Sequence, residues 1–552
     1  MPQGAVADIA LPVPVAAKAV AGAPSVDLRR RGRPPLALAL PACLVAAGML
    51  LPLAYLLVRA AGGGRQAVAL LATPATLRVL VNSAVLVALV TLGSLLLAVP
   101  LAWLTTRTDL PGRRVWAVLT ALPLCVPTYV GGFAFVAALG PRGMLQTVLA
   151  PLGVDRLPEL YGLPGAVLVL TLFSYPYVLL TVRAGLKGLD PALEEASRGL
   201  GSTPFETFRR VTLPQLRPAA AAGSLLVALY TLSDFGAVSL LRYDSFTRAI
   251  YVFYRSAFDR TPAAVLALVL VAFTVVLLSV ETRARGRVRY TGSASPRRRQ
   301  RVVPLGGWRV PALLFCAAVV FLALILPLGV MTFWLLRGVE GGEPVAEVLT
   351  AAVNSLRVSG LAALVAAALA LPLAVLGARY RGTLAGLVER ATALGYALPG
   401  IVVAIALVFF GARWGGPLYQ TLGLLVFAYV VRFLPQAVGA TRTSVLQVPP
   451  SVEEASRGLG RGRLGTLWHV TAPLVRPGVL AGAALVFLTA MKELPATLLL
   501  GPTGYPTLAT RVWSATSEAF FARAAAPALV LVVLTGVPLA FLLTRRDLAG
   551  TP

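Results

Sequence analysis

Long uninterrupted apolar runs limit what this sequence can fold into more than any other feature it has. A helix crosses the hydrocarbon core of a bilayer with about 20 mostly apolar residues, because no water is present there to satisfy an open backbone. About twelve such runs can be marked. They lie at 36–58, 79–104, 115–139, 164–182, 219–241 and 263–282, then at 311–336, 354–378, 391–411, 418–437, 478–500 and 525–544. Composition agrees: of 552 residues, 58% are hydrophobic and 13% charged, where soluble domains carry about a quarter charged. A soluble enzyme, a disordered chain and a coiled coil are excluded. An all-α polytopic membrane protein remains.

The charge is lopsided, with 49 Lys and Arg against 22 Asp and Glu, a net +27. Nucleic-acid binding is one reading of such a balance, and topology is another, since basic loops resist translocation. The positions decide. With a tail at 1–35 placed in the cytoplasm, one side collects Arg29, Arg30, Arg31 and Arg33, then Arg107, Arg113 and Arg114. The same side receives the arginines of 183–217, 283–310 and 442–476, with Arg379, Arg381, Arg390, Arg545 and Arg546. The opposite side collects Glu340, Glu343 and Glu347. Both termini are therefore expected inside, with lipid as the partner and no nucleic acid, since no base-reading fold accompanies the arginines. The Arg-rich stretch 283–310 cannot bury a core and reads as a cytoplasmic linker. It divides a first half (36–282) from a second (311–546), which a short tail (547–552) follows. The N-terminus does not read as a signal peptide: Lys18 is its one basic residue before Arg29, and Pro12 and Pro14 break its apolar run.

Several chemistries are absent. Cys43, Cys125 and Cys316 sit in apolar runs without a CxxC spacing, and His469 is the single histidine, so no metal site is assigned. No GxxxxGK[ST] occurs, so the chain is not expected to bind ATP itself.

The two halves are related. Asn82-Ser83 matches Asn354-Ser355, and Pro100-Leu101-Ala102 matches Pro372-Leu373-Ala374 at the same offset. Residues 194–218 read EEASRGLGSTPFETFRRVTLPQLRP, and 453–477 read EEASRGLGRGRLGTLWHVTAPLVRP. Each copy follows the fourth span of its half and precedes the fifth. An even number of spans per half gives the copies the same orientation, unlike the inverted repeats of many secondary transporters.

Within the repeated loop, Asp190-Pro191 is a helix start, and Gly199 and Gly201 end that helix. Thr203 and Glu206 have capping-box spacing for a second short helix, and Pro214 and Pro218 are expected to close the segment. The second helix presents Phe205 and Phe208 beside Arg209 and Arg210, a pattern suited to docking a protein. The copy at 453–477 has Gly462 and Gly465 where the capping box would be, so its second helix is expected to be weaker.

Glu195-Ala196-Ser197, Gly201, Val211 and Leu213-Pro214 resemble the EAA loop of ABC importer permeases. Glu454-Ala455-Ser456, Gly460, Val470 and Ala472-Pro473 repeat it, with Ala472 in place of the family's Leu. The resemblance implies two tandem six-helix halves of the type I ABC importer (MetI-like) kind in a bacterial inner membrane. It implies a separate homodimeric cytoplasmic ATP-binding subunit, which holds ATP and magnesium, and an extracytoplasmic substrate-binding protein. The permease has no catalytic residue of its own. Docking falls on Glu195, Ala196, Gly201, Phe205, Phe208 and Pro214, and on Glu454, Ala455, Gly460, Leu464, Leu467 and Pro473. The runs MKELPATLLL (491–500) and TLATRVW (507–513), with Ser233-Asp234-Phe235-Gly236, are similar to the fused ferric-iron permeases. Other substrates of the class (thiamine, a polyamine, a phosphonate) and a secondary transporter are the alternatives.

Ionisable groups inside spans face a cavity or a partner. Asp234 in the fifth span and Lys492-Glu493 in the eleventh invite two readings. Asp234 and Glu493 are repeat-equivalent and would attract a cation along a central pathway, with Tyr175 and Tyr230 as secondary contacts beside Tyr129 and Tyr177. Alternatively, Glu493 pairs with a basic group and Asp234 caps a broken helix before Gly236. Pro123, Pro127, Gly131-Gly132 and Pro399-Gly400 mark bends in the third and ninth spans, serving motion or packing.

Overall fold

The computed structural model describes residues 30–31, 34–141, 143–154, 157–256, 260–285, 302–343 and 346–549. Most of the tail, the linker from 286 to 301 with its arginines, and residues 550–552 lie outside the described residues. Among those described, eleven helices are long and apolar enough to cross a membrane, or twelve if a bent pair is one span. That pair, Thr383–Gly395 and Gly400–Trp414, turns through 105° at Pro399. Proline has no N–H and disfavours helical conformation in the residue before it. Large apolar side chains point outward all along the chain, as in Leu36, Leu40, Leu44, Leu361 and Leu364.

Two compact units form, and neither is one repeat. One joins Met1–Ala67 to Val353–Pro506; the other joins Val68–Ala352 to Thr507–Pro552. In the first unit, helix Leu36–Gly62 of the first repeat packs on Thr383–Ala397 and Gly400–Trp414 of the second. Tyr55 meets Phe410 edge to face at 6.0 Å, and a Cβ on Gly48 would lie 3.3 Å from Phe427. Its lead-in, β1 (Arg30–Arg31), pairs in parallel with β2 (Tyr380–Arg381). In the second unit, helix Leu326–Glu340 of the second repeat packs on Thr128–Leu139 of the first and on Phe521–Ala549. Its lead-in makes the corresponding bridge, Thr108 to Val303, also parallel. The first helix of each repeat thus packs on the other repeat, and that of the second repeat also on the last helix of its own.

The repeat also shows in its longest elements. Helices Pro74–Arg107 and Ala346–Arg379 each have 34 residues and occupy equivalent places. The repeated Asn-Ser pair explains itself here. Asn82 Nδ2 donates to the Asp244 carbonyl (3.2 Å) and accepts at its own carbonyl from the Tyr243 hydroxyl (2.9 Å). Asn354 does the same with Pro506 (2.9 Å) and Tyr505 (3.0 Å). Ser83 Oγ accepts from the Phe246 amide, at the start of helix Phe246–Ser256.

The third, fifth and eleventh spans are cut differently from the sequence expectation, besides the bent ninth. The third, expected at 115–139, is broken into Arg113–Leu119, a 3-10 turn at Leu122–Cys125 and Thr128–Leu139, because Pro123 and Pro127 each remove a donor. The fifth and eleventh, expected at 219–241 and 478–500, begin at Leu213 and Ala472 and stop at Ser233 and Met491. Pro214 and Pro218 do not close a loop. They lie in a helix that a π turn, Phe208–Thr212, joins directly to the second short helix. Pro473 and Pro477 repeat this after the π turn Leu467–Thr471. A π turn widens the backbone ring locally, and such turns recur at functional sites.

Candidate docking loops and broken spans

Each repeated loop is described within its own unit. In the first, Asp190 accepts from the Ala192 amide and starts helix Pro191–Gly199. Gly201 has φ +88, the left-handed region that a side chain resists, and reverses the chain. Thr203 and Glu206 form the predicted capping box (3.0 and 3.3 Å). Ser197 and Thr207 hydroxyls meet at 3.3 Å across the bend. In the second loop, Gly460 has the same φ, +88, and Ser456 meets Thr466 at 3.2 Å. Both starting caps are missing: Pro449 stands for Asp190, and Gly462 and Gly465 for the box. The helix Arg463–Thr466 nevertheless has the same length, four residues, as Pro204–Thr207.

The predicted docking residues divide by exposure. Glu195, Ala196, Glu454 and Ala455 are exposed, as are Phe205 (72%) and Leu464 (49%). Phe208 is not a free aromatic: it packs edge to face on Trp103 at 5.9 Å. Leu467, its equivalent, packs against a buried cluster that includes Val375, the equivalent of Trp103. Sequence reasoning missed Leu200 and Leu459, 88% and 87% exposed at the bend, and Trp468 at 65%. Their signal was present, since Leu200 and Leu459 are identical between copies. It also missed Arg107 and Arg379, which were read as topology charges and are buried. Their common offset from the Asn-Ser pairs was the available clue.

Asp234 and Glu493 lie in helix breaks rather than well inside spans. Asp234 accepts from the amides of Ala237 and Val238 (3.0 and 3.3 Å) and from the Thr128 hydroxyl, and so caps helix Gly236–Leu240. Glu493 accepts from the Ala496 amide (3.2 Å), capping Pro495–Leu500, and pairs with Arg432. Lys492 sits beside it in the same break. These are the contacts that the second sequence alternative describes: a carboxylate at each helix break and, for Glu493, a basic partner. A substitution set explains their different partners. Thr128, Phe173 and Asp234 correspond to Gly400, Arg432 and Glu493 by repeat position. A Cβ on Gly400 would lie 2.0 Å from Arg432 Nη1, so glycine makes room for the guanidinium. A Cβ on Gly131 would lie 2.0 Å from the Phe173 ring, so glycine makes room there instead.

Tyr175 and Tyr230 have the following neighbours. Tyr175 is fully buried and donates to the Thr120 carbonyl at 2.6 Å. Tyr230 packs against Tyr177 with the rings tilted by 48° and centroids 5.3 Å apart. Among the described residues, no three His, Cys, Asp or Glu side chains converge to hold a metal ion.

Comparison with known proteins agrees with this anatomy. Residues 94–290 and 367–545 each match the model of the binding-protein-dependent transport system inner membrane component. The chain is 36% identical over 518 residues to the Fe(3+)-transport system permease protein FbpB 2 of Haemophilus influenzae, covering 93% of this chain and 99% of that one. It is 26% identical to the ferric transport system permease protein FbpB of Actinobacillus pleuropneumoniae, over 79% of this chain and 66% of that one. A probable molybdenum ABC transporter permease protein of Haloferax volcanii is 34% identical over 242 residues, 43% of this chain and 87% of that one. With one module matched twice and a relative aligned along nearly its whole length, the chain belongs to the inner membrane components of binding-protein-dependent ABC importers, as a fused permease that carries both halves.

Proposed function

We propose that this permease carries ferric iron inward. A homodimeric ATPase docks on its two EAA loops, and an extracytoplasmic protein delivers the iron. The observation that carries the iron reading is the near full-length similarity to FbpB 2. ATP and magnesium belong to the ATPase, and this chain supplies no catalytic residue. Its role is conformational: nucleotide binding drives it only by favouring one of its states over the other. Both termini are assigned to the cytoplasm. In each unit the lead-in strand and the EAA loop meet the same end of the same long helix, at Thr108 and Arg107 or at Tyr380 and Arg379.

The test is reconstitution of the chain in proteoliposomes with its cognate ATPase and binding protein. Uptake of radiolabelled iron that requires ATP inside the catalytic compartment and the loaded binding protein outside is expected. Uptake driven by a proton gradient without the ATPase would defeat the reading. The partial matches to a molybdenum permease and to a sulfate permease support an oxyanion as second reading. Competition by molybdate or sulfate, with no competition by ferric citrate, would select it.

A further inference from the structure

Each long helix ends in a buried arginine that holds the loop beneath it. In the first repeat, Arg107 Nη2 donates to Glu194 Oε1 at 3.2 Å, and the Thr212 hydroxyl donates to the same oxygen at 2.8 Å. In the second, Arg379 Nε donates to Glu453 Oε1 at 3.1 Å, and Thr471 donates to it at 3.4 Å. One carboxylate oxygen therefore ties three elements together: the end of the long helix, the first short helix and the π turn. Glu194 and Glu453 precede the EAA signature by one residue, and they face inward while Glu195 and Glu454 face out.

Stability alone does not account for a pair of this kind. A buried ion pair can often be replaced by apolar residues of similar volume without loss. Around these two pairs, outside the shared run EEASRGLG, several neighbours differ between the copies: Trp103 and Val375, Phe208 and Leu467, Asp190 and Pro449, Thr203 and Gly462, Glu206 and Gly465. The arginine, the glutamate and the threonine are the same in both copies. Charge-assisted hydrogen bonds are directional and fix orientation, whereas apolar contacts permit sliding. At its other end each long helix is clasped through Asn82 or Asn354 to the chain that follows the broken span. From Asn82 to Arg107 the helix is a rod of about 40 Å at 1.5 Å per residue.

We infer that Arg107–Glu194 and Arg379–Glu453 are positioning pairs that pass displacement of the EAA loops to the long helices, and through them to the segments following Asp234 and Glu493. This rests on the reading that the ATPase docks on those loops. The test uses the full complex of permease, ATPase and binding protein in lipid nanodiscs. It compares wild type with the apolar doubles Arg107→Met/Glu194→Leu and Arg379→Met/Glu453→Leu, which leave no unpaired charge if a single variant fails to fold. Each double is expected to retain the ATPase at the wild-type ratio, while stimulation of ATP hydrolysis by loaded binding protein falls about tenfold, a usual size for coupling between sites. Glu194→Gln and Glu453→Gln, which keep an acceptor oxygen, are expected to restore part of it. Full stimulation in the doubles would overturn the inference, and so would loss of the ATPase from them, since the pairs would then merely shape the docking surface. A wild-type complex that fails to retain the ATPase would remove the docking reading and the pairs' role together.

Discussion

The two EAA loops reach one backbone shape with unequal means. The first has an Asp190 cap and a Thr203–Glu206 box; the second has Pro449, Gly462 and Gly465 in their places. Both keep the bend glycine at φ +88, the Ser–Thr contact across it and the anchored glutamate. The anchors differ as well. Arg379 also donates to the Val445 and Val448 carbonyls (3.2 and 2.7 Å), whereas Arg107 Nε has no partner among the described residues. The second loop is held from behind by its arginine, the first from within by its caps. The comparison teaches that the shape of the loop is what has been kept, and that local helix signals are one of two ways to keep it.

The broken spans offer the strongest way to test such compensation. Arg432→Phe alone leaves Glu493 buried without its partner, and a loss of about 3–5 kcal/mol is expected in denaturant titrations of the purified protein. Transplanting the first repeat's set, Gly400→Thr, Val403→Gly, Arg432→Phe and Glu493→Asp together, should recover most of it. No recovery would break the proposed correspondence. Next in size, Gly201→Ala and Gly460→Ala place a side chain in the left-handed region at about 1–2 kcal/mol each. Neither added Cβ meets a neighbour, so equal losses of ATPase retention in pull-downs are expected. Unequal losses would show that the two bends do different work.

The caps give a smaller contrast. Thr203→Ala should cost about 0.5–2 kcal/mol locally and speed amide exchange in 204–212. Gly462→Thr with Gly465→Glu should slow it in 463–471. Exchange unchanged in both would mean that tertiary packing alone sets these helices. The smallest effect concerns Asp109, whose carboxyl the Arg309 guanidinium, and then the Leu305 amide, hold below the usual carboxylate range. A lowered folded value means that the contact stabilises above the unfolded value and is lost as pH falls through the folded one. Protection of 302–309 from exchange should therefore drop on acidification from neutral pH toward pH 3. Residue 381, at the equivalent position, is arginine, so no matching change is expected beside β2.

Much of this was legible in the sequence because the repeat comments on itself. Asn82-Ser83, the EEASRGLG runs and the prolines of the third and ninth spans all mark features that the fold uses. Other features were hidden for physical reasons. Apolarity tells that Leu36–Gly62 is a span but not which partners it packs on, so the exchange of first helices left no trace. Pro214 reads as a terminator unless the π turn before it is known, and π turns have no composition of their own. Arg107 and Arg379 counted as loop charges, because a charge census cannot separate a solvated guanidinium from one tied to a glutamate on a distant stretch of chain. Asp234 and Glu493 were found, and one of the two roles weighed for them is the one their hydrogen bonds support.

The exchanged first helices set a timetable for synthesis. The span Leu36–Gly62 leaves the ribosome more than 300 residues ahead of its packing partners, Thr383–Ala397 and Gly400–Trp414. The second unit includes Phe521–Ala549, made long after the Val68–Ala352 segment it joins. Neither unit can complete its core while the polypeptide is half made. Insertion into the bilayer must therefore run well ahead of tertiary assembly, with early helices standing in lipid until their partners arrive.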